Sequence, residues 1–220
     1  MTEIKACLFD LDGVIVDTAK YHYIAWKELA DGLGFLFTEQ DNERLKGVSR
    51  TASLNILLEI GGLTVDEDEK ARLAEQKNNR YVEYIAKMDS SEILPGALDF
   101  LKECRENGIK VALGSASKNA MTILNNTGLT PYFDAIVDGT HTSAAKPDPE
   151  VFLLGAKALD ATPEQCVVFE DAEAGIEAAL RAGMFSVGIG SPETLHEANI
   201  VVPSLAHMNV SLLKESFAKI

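Results

Sequence analysis

The sequence predicts an α/β fold: a Rossmann-like parallel sheet core with helices on both faces, interrupted by an inserted all-helical cap. Three observations lead there. Short apolar runs alternate with amphipathic segments along most of the 220 residues, the pattern of βα units whose strands are covered on both faces. From about residue 19 to residue 88 that rhythm stops and only helical periodicities remain. Acidic residues then follow directly on several apolar runs, where open parallel sheets gather their ligands.

The first strand is expected over 4–9, ending in Cys7-Leu8-Phe9. The helical stretch follows, with patterns over 21–33, 51–60 and 67–85, punctuated by Gly47, Gly61 and Gly62 and left through Ser90-Ser91 and Pro95-Gly96. A helix over 97–107 is closed by Gly108, at the position after a helix where positive φ is common. The remaining strands are expected over 110–113, 135–137, 166–169, 185–189 and 200–202. Helices over 119–126, 149–159 and 173–182 separate them, the last closed by Gly183. The length suits one substantial core plus a smaller module, so 1–16 with 91–220 is assigned to the core and 17–90 to the cap.

Composition narrows the function. With 20 Lys and Arg against 34 Asp and Glu, the formal charge is −14, which argues against a nucleic-acid or anionic-membrane partner. No apolar run approaches the ~20 residues of a membrane span. Residues 1–5 lead straight into a strand-like run without a signal-peptide core, so the reading is a cytoplasmic protein. Cys7, Cys104 and Cys166 are odd in number and lack CxxC spacing, which speaks against a disulfide or a zinc site.

Three expected strand ends carry the chemistry. They are Asp10-Leu11-Asp12-Gly13, Gly114-Ser115-Ala116-Ser117-Lys118-Asn119 and Glu170-Asp171. Four carboxylates at neighbouring strand ends repel one another unless a cation lies among them, and an all-oxygen set points to Mg²⁺. Ser115 and Lys146 make the surroundings suitable for a phosphoryl group. A carboxylate fixed at Asp10 can attack phosphorus, and Asp12, two residues on, can move the proton of the leaving or attacking oxygen. Taken singly, each carboxylate reads equally as a turn residue or helix cap, and Lys146-Pro147-Asp148-Pro149 as a helix start; their joint order favours the site.

That order resembles the haloacid dehalogenase superfamily, whose four motifs match as Asp10-Leu11-Asp12-Gly13, Ser115, Lys146-Pro147 and Glu170-Asp171. The resemblance implies a mobile cap, phosphoryl chemistry because the second aspartate is present, and metal ligation by Asp10, Asp171, the Asp12 carbonyl and Glu170. The cap stretch is similar to the sugar-phosphomutase branch at Thr18, Tyr21-His22, Ala25-Trp26-Lys27, Leu45 to Arg50, Ser53-Leu54 and Lys77-Asn78-Asn79. It implies catalysis by Asp10, Asp12 and His22. The implied substrate contacts come from Trp26, Lys46, Gly47, Val48, Ser49, Arg50, Ser53, Lys77, Ser115, Ala116, Ser117, Lys118, Asn119 and Lys146.

The implied reaction interconverts β-glucose 1-phosphate and glucose 6-phosphate, with glucose 1,6-bisphosphate as primer and intermediate, in a monomer acting on a small sugar phosphate. A sugar-phosphate phosphatase is the alternative. Residue by residue, His22, Arg50 and Lys77 also read as helix-surface residues, Lys77 within a solvated charged face with Arg72, Glu75 and Arg80. One departure is Ala172, where the superfamily often has serine.

Overall fold

The computed structural model describes residues 3–219. The outermost positions of the expected core segments, 1–2 and 220, lie outside the described residues. Six strands, β1 (Ala6–Phe9), β2 (Lys110–Gly114), β3 (Ala135–Val137), β4 (Cys166–Glu170), β5 (Phe185–Ile189) and β6 (Ile200–Val202), form one sheet. Its order is β3-β2-β1-β4-β5-β6 and every pairing is parallel. The order reverses between β1 and β4, which opens a crevice at their carboxyl ends.

Alternate side chains of each strand supply opposite faces. Cys7, Phe9, Val111, Leu113, Val167 and Phe169 pack with Phe100, Leu101 and Cys104 of α5 (Ala97–Glu106) and Ile123 and Leu124 of α6 (Ala120–Thr127). Ala6, Leu8, Ala112, Cys166 and Val168 pack the other way, on Phe152 and Ala156 of α7 (Glu150–Ala158) and Ala178 and Ala179 of α8 (Glu173–Arg181). Phe9 and Phe169 are register partners whose rings stack at 4.6 Å, with Phe100 edge-on to both. This stack fixes the two strand ends from which Asp10 and Glu170 project.

A third apolar cluster lies wholly between residues 23 and 74, with Trp26, Leu29, Phe37, Leu54, Leu57 and Leu73 at its centre. It is built by α1 (Ala19–Leu33), α3 (Arg50–Ile60) and α4 (Glu67–Ile85), with Phe37 and Leu45 entering from either side of α2 (Glu39–Glu43). The chain leaves for these helices after Val16 and returns at Ile93, and the two residues form an antiparallel bridge. Asp17 N donates to Glu92 O at 2.9 Å, and the Glu92 carboxylate accepts from Lys20 Nζ and Tyr21 OH, each at 2.5 Å.

The strands match expectation to within two residues. Sequence reading passed over α2 and α9 (Val210–Phe217). Both are short. Helix α2 rests on a Thr38–Asp41 capping box and α9 on an Asn209 cap accepting from Leu212 N at 2.8 Å, so local hydrogen bonds, rather than a long apolar period, define them. Among the described residues no helix is long and apolar enough to cross a membrane.

Candidate active site

At the carboxyl end of β1, Asp10 N donates to Phe169 O at 2.9 Å, so the nucleophile candidate is tied to β4 by its own backbone. Its side chain is buried, and Oδ1 accepts from Lys146 Nζ at 2.5 Å. Lys146 also donates to Glu170 Oε2 at 3.1 Å. Burial pushes the Asp10 carboxyl up, and Lys146 only partly offsets it. Glu170 is fully buried and lies well above the usual carboxylate range, through burial and then the Asp10 charge. Asp171 is pushed up to about 7 by burial and then by Asp10, with Lys46 and Lys146 pulling the other way.

These three carboxylates fit a divalent cation. Asp10, Glu170 and Asp171 each offer an oxygen within 4.8 Å of the others. Glu170 Oε1 is buried without a hydrogen-bond partner among the described residues. An all-carboxylate set short of positive charge suits a hard ion such as Mg²⁺. Gly13 serves this cluster directly: it holds φ +81°, and a Cβ there would stand 2.2 Å from Asp171 Oδ2. Its bare Cα makes room for a candidate ligand as well as for the left-handed turn.

Asp12 faces α1. Its Oδ1 accepts from Thr18 Oγ1 and lies 3.7 Å from His22 Nε2. Burial pushes this carboxyl up, but His22, Thr18 and Lys146 together outweigh it and hold Asp12 below the usual range. Lys77 Nζ lies 2.8 Å from His22 Nδ1. With Lys77 charged, Nδ1 must accept and Nε2 carries the proton toward Asp12. Burial, followed by the Lys77 charge, holds His22 below its ordinary value.

Lys77 itself is only 3% exposed, with its ammonium 4.6 Å from the Trp26 ring and 4.7 Å from the Tyr81 ring. Burial, then Arg50, pushes it down to about 7. The surface reading of Lys77 is therefore wrong: it is turned inward, away from Arg72 and Arg80, which pair with Glu69 and Glu28 outside.

One cavity of about 440 Å³ collects these groups, within the ~300–1,000 Å³ usual for small-ligand sites. Its walls include Asp10, Asp12, His22, Trp26, Lys46, Gly47, Val48, Ser49, Arg50, Ser53, Lys77, Ser115, Ala116, Ser117, Lys118, Asn119, Lys146 and Asp171. Of the candidate residues only Glu170 is off the wall, where it accepts from the wall residue Lys146. The 115–119 loop is wound by its own hydroxyls: Ser115 Oγ accepts from Ser117 N, and Ser117 Oγ from Asn119 N. Asn119 then donates across to Asn78 of α4 at 3.1 Å. Arg50 opens α3 behind its Ser49 cap, is half-buried, and makes no ion pair among the described residues. Although the chain is strongly acidic, five cationic side chains line this cavity.

The candidate set left out Tyr81 and Asn78. Tyr81 packs its ring 4.1 Å from His22 and keeps a buried hydroxyl without a partner among the described residues. Its place four residues after Lys77, hence on the same face of α4, was the available signal.

Comparison with known proteins agrees with this geometry. A family model described as "haloacid dehalogenase-like hydrolase" matches residues 4–183. The β-phosphoglucomutase of Bacillus subtilis is 42% identical, covering 97% of this chain and 96% of its own. A phosphorylated carbohydrates phosphatase of Thermotoga maritima is 31% identical over 96% of this chain and 99% of its own. The crystal structure of β-phosphoglucomutase from Clostridium difficile superposes with a TM-score of 0.94 at 46% identity, covering 98% of both chains.

Proposed function

Since the chain belongs to the haloacid dehalogenase-like hydrolases, we propose that it is a magnesium-dependent β-phosphoglucomutase. It interconverts β-glucose 1-phosphate and glucose 6-phosphate, primed by glucose 1,6-bisphosphate. The observation that carries this reading is Arg50, a half-buried guanidinium without an ion pair among the described residues that shares one cavity with Asp10. A mutase must hold a second phosphate while the first reacts, and Arg grips phosphate with paired, charge-assisted hydrogen bonds.

Asp10 supplies the nucleophilic oxygen. It bonds to the phosphorus of the bisphosphate while the bond from that phosphorus to the sugar oxygen breaks. Asp12, ionised at rest, takes the proton of the sugar hydroxyl that attacks phosphorus on Asp10, and as general acid returns it to the sugar oxygen that leaves the bisphosphate. His22, proton-bearing at Nε2, orients Asp12. Ser115 and Lys146 hold the reacting phosphate, and Lys118 and Asn119 complete that end. Lys46, Gly47, Val48, Ser49, Ser53, Trp26 and Lys77 enclose the sugar from the cap side. Mg²⁺ would be held by Asp10, Asp171, the Asp12 carbonyl and Glu170, and when bound it neutralises charge on the phosphoryl oxygens. Residues 17–90 act as the cap on a core of 1–16 and 91–220, in a cytoplasmic monomer.

Phosphorus NMR of β-glucose 1-phosphate with Mg²⁺ and the bisphosphate tests this: glucose 6-phosphate should appear, and rapid release of inorganic phosphate alone would overturn it. Hydrolysis is the second reading, favoured by the similarity to the Thermotoga phosphatase. Arg50→Ala separates the two. Isomerisation should fall at least ~100-fold, as expected for a lost charged hydrogen-bond pair, while hydrolysis of small monophosphates stays within ~5-fold.

A further inference from the structure

The cap meets the core at one unusually tight point beside the carboxylates. Gly47, at φ +70°, sits so close to Ala172 that a Cβ on it would stand 2.8 Å from the Ala172 Cβ. Unbonded carbons rest at ~3.5–4.0 Å, so the contact exists only because one partner has no side chain and the other a single methyl. The same added atom would lie 3.6 Å from Glu170 Oε1, the buried oxygen without a partner among the described residues, and 3.9 Å from the Ala174 Cβ. Gly47 and Asp171 both line the cavity, whereas Ala172 is 4% exposed beneath the loop. Lys46, next in the loop, also lines the cavity.

Ala172 also occupies the N-cap of α8 and offers no side-chain hydrogen bond there. Ser is a much better N-cap than Ala, so helix stability does not account for the methyl at this position. The methyl instead faces the bare Cα of Gly47.

We infer that Gly47 and Ala172 form a seam that seals the carboxylate end of the cavity, making Ala172 a positioning residue that sets how often water replaces the sugar hydroxyl. This deepens the mutase reading and rests on it. In the productive step the sugar hydroxyl oxygen bonds to phosphorus, the bond from phosphorus to Asp10 breaks, and the hydroxyl proton passes to Asp12. In the leak, water takes the place of the sugar hydroxyl. The Asp10–phosphorus bond breaks in the same way, one water proton goes to Asp12, and inorganic phosphate leaves.

The variants Ala172→Ser, Ala172→Val and Gly47→Ala test the seam with two readouts. The first is inorganic phosphate released per glucose 6-phosphate formed in the primed reaction. The second is acrylamide quenching of Trp26, the single tryptophan, which is 2% exposed and lines the cavity. Ala172→Val and Gly47→Ala should raise the phosphate ratio at least 10-fold and increase quenching at least 2-fold. Ala172→Ser is expected to melt higher than wild type, through its cap, yet leak at least 3-fold more. A merely structural role cannot produce that combination.

Wild-type ratio and quenching in a folded Ala172→Ser and Gly47→Ala would overturn the seam, whether or not Ala172→Val folds. Because the quenching readout needs no isomerase activity, a wild type that fails to isomerise would overturn the mutase reading while the seam is still judged on quenching.

Discussion

Asp171→Asn should remove a pH dependence that this carboxyl imposes on the metal-free protein. The folded state holds this carboxyl at about 7, against a value near 4 in the unfolded chain. Between those values the native state binds more protons than the unfolded one, so its stability falls as pH rises. The full shift corresponds to about 4 kcal/mol above pH 7, of which roughly 2–3 kcal/mol develops between pH 5 and pH 8. For a chain of this length that is roughly 5–10 °C in melting temperature. The comparison must be with Asp171→Asn, because His22 and Lys77 are both pushed down and therefore tilt the profile the other way.

Melting in chelator from pH 5 to pH 8 should show wild type losing those degrees relative to the variant. Saturating Mg²⁺ should return them at pH 8 to wild type alone, since a bound cation holds the carboxylate charged. Parallel profiles for the two proteins in chelator would refute the claim that Asp10, Glu170 and Asp171 share uncompensated charge.

Two further outcomes follow from the same geometry. Gly13→Ala should lower metal-free stability by about 1–2 kcal/mol through the strained left-handed backbone. It should also abolish Mg²⁺-induced stabilisation, measured by thermal shift, because its methyl displaces Asp171. Lys77→Met should raise stability at pH 7 by a few kcal/mol. Carrying a buried charge below about pH 7 is a penalty that disappears only as pH rises toward the unfolded value, and Met removes it. Turnover should nonetheless drop ~100-fold or more through loss of the contact to His22, a split read by pairing melting curves with steady-state rates.

The sheet was legible because its strands are buried on both faces, and runs such as Cys7-Leu8-Phe9 and Val167-Val168-Phe169 have no polar residue to disguise them. The site was legible for a related reason: in a parallel sheet the residue after such a run must stand at the crevice, so Asp10 and Glu170 were located by position. What sequence hid was long-range. Nothing in the neighbours of Lys77 reports that its ammonium lies between Trp26 and Tyr81, because that environment is assembled from α1 and α4, 51 residues apart at Trp26 and Lys77. The clearance between Gly47 and Ala172 joins positions even farther apart. Helices α2 and α9 were missed because each is fixed by caps at its start and is too short to show a period.

The bridge between Val16 and Ile93 has an evolutionary reach. Two chain crossings that lie side by side make everything between them one block, set apart from a strand whose register is held by its neighbours β2 and β4. The block brings its own apolar interior and one wall of the cavity, while Asp10, Glu170 and Asp171 stay behind. Recombination at that one narrow neck can give old chemistry a new clientele.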